Sequence, residues 1–141
     1  MTRGVTLLEL LLVLVLIGIL AGLGLPHLGA VASAAALRHE ATELVVALDA
    51  ARLDAIRFGA VTRLTLSDSS YRLELLMDGD TTLRWQHAGA GTRGVQLSGG
   101  GAPIHFGAAG LAVGVSNRTL TLTRLGASRR VVISRLGRIT P

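Results

Sequence analysis

Hydrophobic residues change their spacing twice along this chain, and each change predicts a different structure. Residues 5–25 form an apolar run that contains one charged residue, Glu9, and that follows the short segment at residues 1–4. At a rise of about 1.5 Å per residue, a helix of this length crosses a hydrocarbon core of about 30 Å. Arg3 precedes the run, and the positive-inside rule keeps that end in the cytoplasm. The pattern therefore predicts a transmembrane helix over residues 5–25.

Beyond Pro26 the apolar residues recur at every third or fourth position, which is typical of one helix face. This stripe consists of Leu37, Ala41, Leu44, Val45, Leu48, Ala51, Ala55 and Ile56. The other faces are expected to carry Arg38, Glu40, Thr42, Glu43, Asp49, Arg52 and Asp54. Ion pairs three residues apart are expected for Asp49 with Arg52 and for Asp54 with Arg57. Pro26 is expected to kink the helix and Gly59 to stop it, so residues 26–58 extend the helix outside the membrane.

From residue 59 to residue 141 the pattern is that of short strands separated by turns. The predicted strands are Val61–Leu66, Tyr71–Met77, Thr81–Gln86, Ile104–Phe106, Leu111–Val115, Arg118–Arg124 and Arg129–Ser134. Asp78-Gly79 indicates one hairpin turn, and Gly126-Ala127-Ser128 is expected to join the last two strands. Residues 88–101 are rich in glycine and indicate a flexible loop around a short piece at Val95–Leu97. A long helix followed by antiparallel strands predicts an α+β fold, in which the helix lays its apolar stripe on the sheet of a β-rich head.

A secretory signal peptide is the competing interpretation of the N-terminal run. Ala32-Ser33-Ala34 matches the small-residue pattern of a cleavage site. The apolar run, however, exceeds the usual core of about 7 to 15 residues, and it contains Glu9. This alternative predicts an exported or membrane-anchored β-domain whose mature chain begins at Ala35.

Charge is distributed unevenly along the chain. Residues 5–80 carry five arginines and nine acids, whereas residues 81–141 carry eight arginines and no acid. Such asymmetry indicates nucleic acid, an acidic partner surface or anionic lipid as a neighbour of the C-terminal part. The alternative is a solvated sheet face, since arginine also solubilises a surface without binding anything. The absence of cysteine excludes a disulfide framework and a thiolate metal site.

Motifs for catalysis or cofactor binding are incomplete. The segment Gly89-Ala90-Gly91-Thr92-Arg93-Gly94 matches the dinucleotide pattern, but no amphipathic helix or ribose-binding acid follows it. The four histidines are not spaced as metal ligands are; they are His27, His39, His87 and His105. Ser116 is not followed by the second glycine of a nucleophile elbow. We therefore expect no enzyme activity, no cofactor and no metal.

The start of the chain, Arg3-Gly4-Val5-Thr6-Leu7-Leu8-Glu9, resembles the class III leader junction of type IV pilins and type II secretion pseudopilins. The helix, the following sheet and the closing segment 131–139 are similar to the GspH/FimT group of minor pseudopilins, so the resemblance covers nearly the full length. It implies that residues 1–4 are a leader, that prepilin peptidase cuts between Gly4 and Val5, and that the new amino terminus of Val5 is methylated. Val5 stands where the family usually has phenylalanine, which weakens the expectation of methylation more than that of cleavage.

The resemblance also implies a location and partners. The subunit is expected to span the inner membrane once, with its head in the periplasm, before it joins a filament. The implied partners are prepilin peptidase, the inner-membrane assembly platform, and other major and minor pseudopilins.

Glu9 acquires a role in this context. Cleavage after Gly4 creates an α-amine on Val5, and Glu9 lies four residues later, about 6 Å along the helix axis. An amine and a carboxylate that meet in an apolar bundle neutralise each other, whereas either alone in lipid is unfavourable. We therefore hypothesise that Glu9 guides the addition of subunits. Gly18 and Gly22 form a GxxxG pattern that either permits close helix approach or reflects the ordinary glycine content of a membrane helix.

Two filament functions follow from the resemblance. In the first, the subunit lies near the tip of a type II secretion pseudopilus and serves protein secretion. In the second, it resembles the DNA-uptake branch of the family, in which C-terminal arginines hold the nucleic acid backbone during natural transformation. The phosphate ligands in that case are Arg118, Arg124, Arg129, Arg130, Arg135 and Arg138. That branch typically ends in Gly-Arg-x-Arg, and Thr140 replaces the second arginine here.

Overall fold

A computed structural model describes residues 6–114 and 117–141 of the protein, with residues 23–28 described in backbone only. The first element in this part of the chain is one long helix. Helix α1 spans Leu7–Phe58 and runs through Pro26 without interruption. The Thr6 hydroxyl caps it by accepting a hydrogen bond from the backbone N–H of Glu9 at 3.3 Å. Gly59 ends the helix in the left-handed conformation, at φ 61°, and its N–H bonds to the Ile56 carbonyl. The predicted continuous helix and its stop signal are thus confirmed.

Short strands and one 3-10 helix follow. They are β1 (Val61–Leu66), β2 (Ser70–Met77), β3 (Asp80–Ala88), the 3-10 helix (Ala90–Arg93), β4 (Gln96–Ser98), β5 (Ile104–Phe106), β6 (Ala112–Val113), β7 (Arg118–Arg124), β8 (Ala127–Ile133) and β9 (Ile139–Thr140). The strands form two antiparallel sheets with the orders β3-β2-β1-β5-β6 and β4-β7-β8-β9. The α+β class is confirmed, although the sequence pattern suggested one sheet and the chain builds two.

Two local predictions are wrong. The turn between β7 and β8 is Leu125-Gly126, at φ 46° and 82°, so Ala127 and Ser128 belong to β8. Two residues with positive φ match the twist of the flanking strands, and this match places the turn one residue earlier than the glycine alone suggested. The short piece predicted at Val95–Leu97 corresponds to β4, but the loop predicted around it contains the 3-10 helix. The strand predicted at Leu111–Val115 is shorter, at Ala112–Val113, and Val115 lies outside the described residues.

The second half of α1 completes a core shared by both sheets. Helix residues Leu44 and Leu48 are fully buried, as are Phe106 in the first sheet and Leu120 in the second. Burying each such side chain contributes about 1.5 to 3 kcal/mol relative to exposure. The predicted stripe packs against the sheets except at Ile56, which is 46% exposed. The head therefore depends on the helix for a large part of its interior.

Several polar predictions for α1 are wrong because partners outside the helix compete for its side chains. Glu40 was assigned to the outer face, yet it is only 1% exposed. The expected pairs within the helix do not form: Arg52 Nε donates to the Gly110 carbonyl at 3.1 Å, and Asp54 accepts from Arg84 Nε at 3.5 Å. Arg57 lies instead over the ring of Phe58, at 5.4 Å from its centroid.

Candidate functional site

The N-terminal part of α1 presents large apolar side chains to its surroundings. From residue 7 to residue 20 the leucine, valine and isoleucine side chains are between 46% and 76% exposed. One side of this segment forms a shallow groove, lined by Leu8, Leu11, Leu12, Val15, Leu16 and Ile19. A Cβ atom added to Gly18 or Gly22 meets nothing within 4 Å, so the GxxxG face is uncovered in the single chain. Among the described residues, this segment therefore has no packing partner.

Within the described part of the chain, no helix qualifies by length and apolar content as a membrane span. The predicted span over residues 5–25 includes positions outside the full description and stays a prediction. Gly4 and Val5, the predicted cleavage and methylation site, lie outside the described residues. The alternative cleavage site, Ala32-Ser33-Ala34, lies inside α1, where the Ser33 hydroxyl donates to the Gly29 carbonyl at 2.9 Å.

Glu9 lies in the first turn of α1 and is exposed. A carboxylate at a helix N-terminus is favoured by the free N–H groups and by the helix dipole. Glu9 belongs to none of the ion pairs among the described residues. Its carboxylate is therefore available to a group outside the described chain.

The six candidate arginines lie at the C-terminal sheet. Arg118 and Arg124 belong to β7, Arg129 and Arg130 to β8, and Arg135 and Arg138 to the segment between β8 and β9. In the described chain every ion pair uses an arginine from an earlier part of the sequence, namely Arg63, Arg72, Arg84 or Arg93. The C-terminal sheet therefore carries positive charge that no acid of the described residues neutralises.

These arginines do not share one surface. In the register of β7 and β8, Leu122 pairs with Arg129 and Thr121 pairs with Arg130. Directly paired residues lie on the same face of a sheet, and successive residues lie on opposite faces. Leu122 is buried, so Arg129 lies on the side that faces α1, whereas Arg130 lies on the outer face. A flat ligand on either face meets only part of the set.

Two further candidate arginines, Arg118 and Arg124, lie at opposite ends of β7. Arg118 begins the strand and Arg124 ends it, which places their Cα atoms about 20 Å apart. The Arg118 guanidinium donates to the Ala102 carbonyl, so it is partly committed within the chain. His105 lines the same pocket as Arg118 and lies opposite Arg63 in the register of β1 and β5. Burial lowers the pKa of His105, and the charges of Arg63 and Arg118 lower it further.

The closing Gly137 is explained by packing. It has φ 71°, and an added Cβ would collide with the Gly110 carbonyl and lie 3.2 Å from Arg52 Nε. Since Arg52 also donates to Gly110, the three residues fasten the C-terminal turn to the helix. This part of the Gly-Arg ending therefore has a structural role whatever Arg138 binds.

The glycine pattern at residues 89–94 is also structural. A Cβ on Gly89 would lie 2.5 Å from the Ser67 carbonyl oxygen, and one on Gly91 would lie 2.8 Å from that of Asp68. Small residues are thus required where the 3-10 helix packs on the turn between β1 and β2. The Asp68 carboxylate extends this contact by accepting from the Leu97 N–H at 2.7 Å.

The same segment holds a buried ion pair that the sequence reading missed. Arg93 Nη1 lies 2.7 Å from Glu40 Oε1, and the Glu40 side chain is 1% exposed while that of Arg93 is 48% exposed. Helical spacing indicates that Glu40 is buried, because position 40 lies three residues after Leu37 and four before Leu44 and therefore on the same helix face.

A second missed contact arises from a β-bulge. The register of β2 and β3 shifts between Leu73 and Glu74, which leaves Arg84 without a paired residue. Bulges redirect side chains, and Arg84 lies 4.6 Å from the ring centroid of Phe58 and 3.5 Å from Asp54. No periodicity in the sequence marks this shift.

Metal-ligating side chains do not cluster among the residues described. Within residues 6–114 and 117–141, leaving out the side chains of 23–28, no three histidine or acidic side chains converge as a metal site. Ser116 lies outside the described residues, as does the side chain of His27. His39 and His87 are exposed on different elements.

Known proteins resemble this chain along most of its length. The family model for the type II transport protein GspH matches residues 40–137. The pilin-like protein PilA1 of Thermus thermophilus is 36% identical over 151 aligned positions, which cover 96% of each chain. The type IV minor pilin FimU of Pseudomonas aeruginosa superimposes in two crystal forms, with TM-scores of 0.62 and 0.60 at 22% identity. The overlap covers 74% of this chain and 86% or 90% of FimU, and it shows a shared fold.

Proposed function

Because this chain belongs to the GspH family of pilin-like proteins, we propose that it is a minor pseudopilin that prepilin peptidase processes and that assembles near the tip of a type II secretion pseudopilus. In this proposal residues 5–25 anchor the precursor in the inner membrane and the head lies in the periplasm. The subunit acts by assembly with other pilins and not as an enzyme.

One observation carries this proposal: the head closes around only the second half of α1. One face of the helix from Leu37 to Ala55 is buried by the sheets, whereas the large apolar side chains from residue 7 to residue 20 are exposed around the helix. Lipid can cover these side chains before assembly, and the helices of other subunits can cover them afterwards. A helix with this division of burial suits a subunit that moves from a membrane to a filament.

Glu9 provides the test of assembly. A charge at the centre of a membrane helix costs about 2.5 to 3.5 kcal/mol, and one near its end, such as Glu9, costs less. Glu9→Leu removes this cost and is therefore expected to insert into the membrane at least as well as the native chain. Its incorporation into sheared filaments is expected to fall strongly, while Glu9→Asp, which keeps the charge, is expected to retain most of it. Unchanged incorporation of Glu9→Leu would refute the role of Glu9 in assembly.

Processing is tested by mass spectrometry of the mature protein. An amino terminus at Val5, with or without a methyl group, supports the pseudopilin proposal. An amino terminus at Ala35 instead supports an exported β-domain.

A second function, DNA binding during uptake, is favoured by the unneutralised arginines of the C-terminal sheet. Phosphate contacts make the affinity for DNA fall as the salt concentration rises. On duplex DNA the logarithm of the binding constant falls with the logarithm of the salt concentration, with a slope of about 0.9 per phosphate contact. Since Arg129 and Arg130 face opposite sides of the sheet, we expect the slope to reflect fewer than six contacts. The test is a salt titration of DNA binding by the full chain in detergent. Absence of binding at low salt rejects this function and leaves the secretion proposal standing.

A further inference from the structure

A groove lies between the second half of α1 and strands β2 and β3, apart from the exposed N-terminal segment of α1 and from the arginines of the C-terminal sheet. Its volume is about 190 Å³. The helix contributes Glu43, Val46 and Ala47, and the strands contribute Tyr71, Trp85 and His87.

Aromatic rings form one wall of the groove. Trp85 and His87 are two residues apart in β3 and therefore lie on the same face of the strand. Their ring centroids are 4.8 Å apart with a 30° angle between the planes. Trp85 is half-buried and His87 is exposed, so the wall is reachable from outside. The face of a tryptophan ring attracts cations, most strongly when water is excluded.

Acidic groups form the opposite side. Glu43 lines the groove, is exposed, and belongs to none of the ion pairs among the described residues. Glu40 also lines the groove but is buried, and its charge is neutralised by Arg93, whose side chain lines the groove as well, so Glu43 carries the one unneutralised charge among the described lining residues. An unpaired carboxylate facing aromatic rings is a site for a positively charged group.

Tyr71 closes the inner end of the groove and provides an independent indication of a missing partner. Its side chain is 3% exposed, and its hydroxyl is the one buried side-chain polar atom among the described residues without a hydrogen bond. Burial raises the pKa of Tyr71 to about 12, and the negative charge of Glu40 adds to this rise. The nearby Ala90 backbone offsets part of the rise but makes no hydrogen bond of acceptable geometry. Buried polar atoms normally have a partner, and a hydrogen-bond donor in the groove would supply one.

We propose that this groove receives an arginine side chain from a neighbouring pilin-type subunit, with its guanidinium group stacked on Trp85 and hydrogen-bonded to Glu43. Arginine fits better than lysine because its planar group both stacks and donates several hydrogen bonds. Charge complementarity supports this occupant, since the C-terminal sheet of this chain itself presents arginines that no acid of the described residues neutralises, and a second copy in a filament would bring such arginines to the groove. Only the identity of the occupant rests on the proposed pilin function; the chemistry of the groove stands without it.

Trp85 is the only tryptophan of the chain, so its fluorescence reports on the groove directly. The probe is N-acetylarginine methylamide, titrated into the full chain in detergent micelles, and N-acetylcitrulline methylamide is its uncharged analogue. We expect a saturable change in Trp85 emission with the arginine probe and at least about five-fold weaker binding of the citrulline probe. Glu43→Gln is expected to weaken binding of the arginine probe by a similar factor. Asp49→Asn, an exposed change on the same helix outside the groove, is expected to leave it unchanged.

Equal responses to the two probes, no saturable response, or full binding by Glu43→Gln would each overturn the proposal. Assembly experiments keep this result separate from the proposed function. If the arginine probe binds but Glu9→Leu assembles normally, the groove stands and the assembly role of Glu9 fails. If the probe does not bind while Glu9→Leu blocks assembly, the inference about the groove fails alone.

Discussion

The ion pair between Arg93 and Glu40 yields the sharpest stability prediction. Arg93→Ala leaves the Glu40 carboxylate, 1% exposed, without its only hydrogen-bond partner among the described residues. Breaking a fully buried pair costs about 3 to 5 kcal/mol, whereas breaking an exposed pair costs about 0 to 1 kcal/mol. The Arg93 side chain is 48% exposed, so water can reach part of the space it vacates. We therefore expect Arg93→Ala to lower the free energy of unfolding of the head by about 2 to 3 kcal/mol.

Urea unfolding of the full chain in detergent, followed by the emission of Trp85, measures this loss. With a slope of about 1 to 2 kcal/mol per molar urea, the midpoint is expected to fall by about 1 to 3 M. Glu40→Leu removes the buried charge and leaves Arg93 in water, so it is expected to cost much less. In the double variant the loss from Arg93→Ala should largely disappear, which a double-mutant cycle detects.

Arg129→Ala is the matched control, because Arg129 is exposed and belongs to none of the ion pairs in the described chain. It is expected to change stability by less than about 0.5 kcal/mol. If Arg93→Ala costs no more than Arg129→Ala, the burial of Glu40 does not create the dependence argued above.

Three further predictions concern the head. Gly137→Ala is expected to lower the free energy of unfolding of the head by more than about 2 kcal/mol in urea unfolding, because the added Cβ collides with the Gly110 carbonyl. Gly101→Ala, which has open space around the added Cβ, should be nearly neutral, and equal effects of the two substitutions would contradict the packing argument. Tyr71→Phe removes a buried hydroxyl that lacks a hydrogen bond, so thermal unfolding should show unchanged or higher stability, and a loss above about 1 kcal/mol would reveal a bond the structure lacks. The folded-state pKa of His105 lies below its usual 6.5, so the unfolded chain binds more protons than the folded chain near that pH. The free energy of unfolding should therefore fall as the pH drops from about 7 towards the folded-state pKa. His105→Gln should reduce this dependence on pH, and an unchanged dependence would assign it to other groups.

Periodicity explains why the long helix and most strands were predictable. The stripe from Leu37 to Ala55 follows the helical repeat, and β1, β2, β5 and β7 follow alternation or short apolar runs bounded by turn residues. These signals are local, because each depends on side chains within a few residues of one another. The β7–β8 turn was misplaced because glycine alone marked it, while Leu125 also adopts a positive φ there.

Contacts between distant segments explain what was missed. Glu40 is buried because the 3-10 helix brings Arg93 to it, and Arg84 reaches Asp54 because a bulge shifts the register of β3. The assigned pair of Asp54 with Arg57 was plausible locally, but a partner from the sheet replaced it. The glycine pattern at residues 89–94 resembled a phosphate-binding loop, and only the nearby turn at Ser67 shows that it serves backbone packing.

Four features follow from the amino-acid sequence without any structure: an apolar N-terminal segment with one carboxylate, an amphipathic continuation, an antiparallel β-rich head and a basic C-terminal part. Local spacing and composition are sufficient for these features, since they depend on neighbouring residues. Other features become visible only in the folded chain: the described strands form two sheets, Arg129 and Arg130 face opposite sides, and Glu43, Tyr71 and Trp85 surround one groove. These features depend on strand register and on helix-to-sheet contacts between residues far apart in the chain, and competition among such contacts is settled only when the whole core is packed.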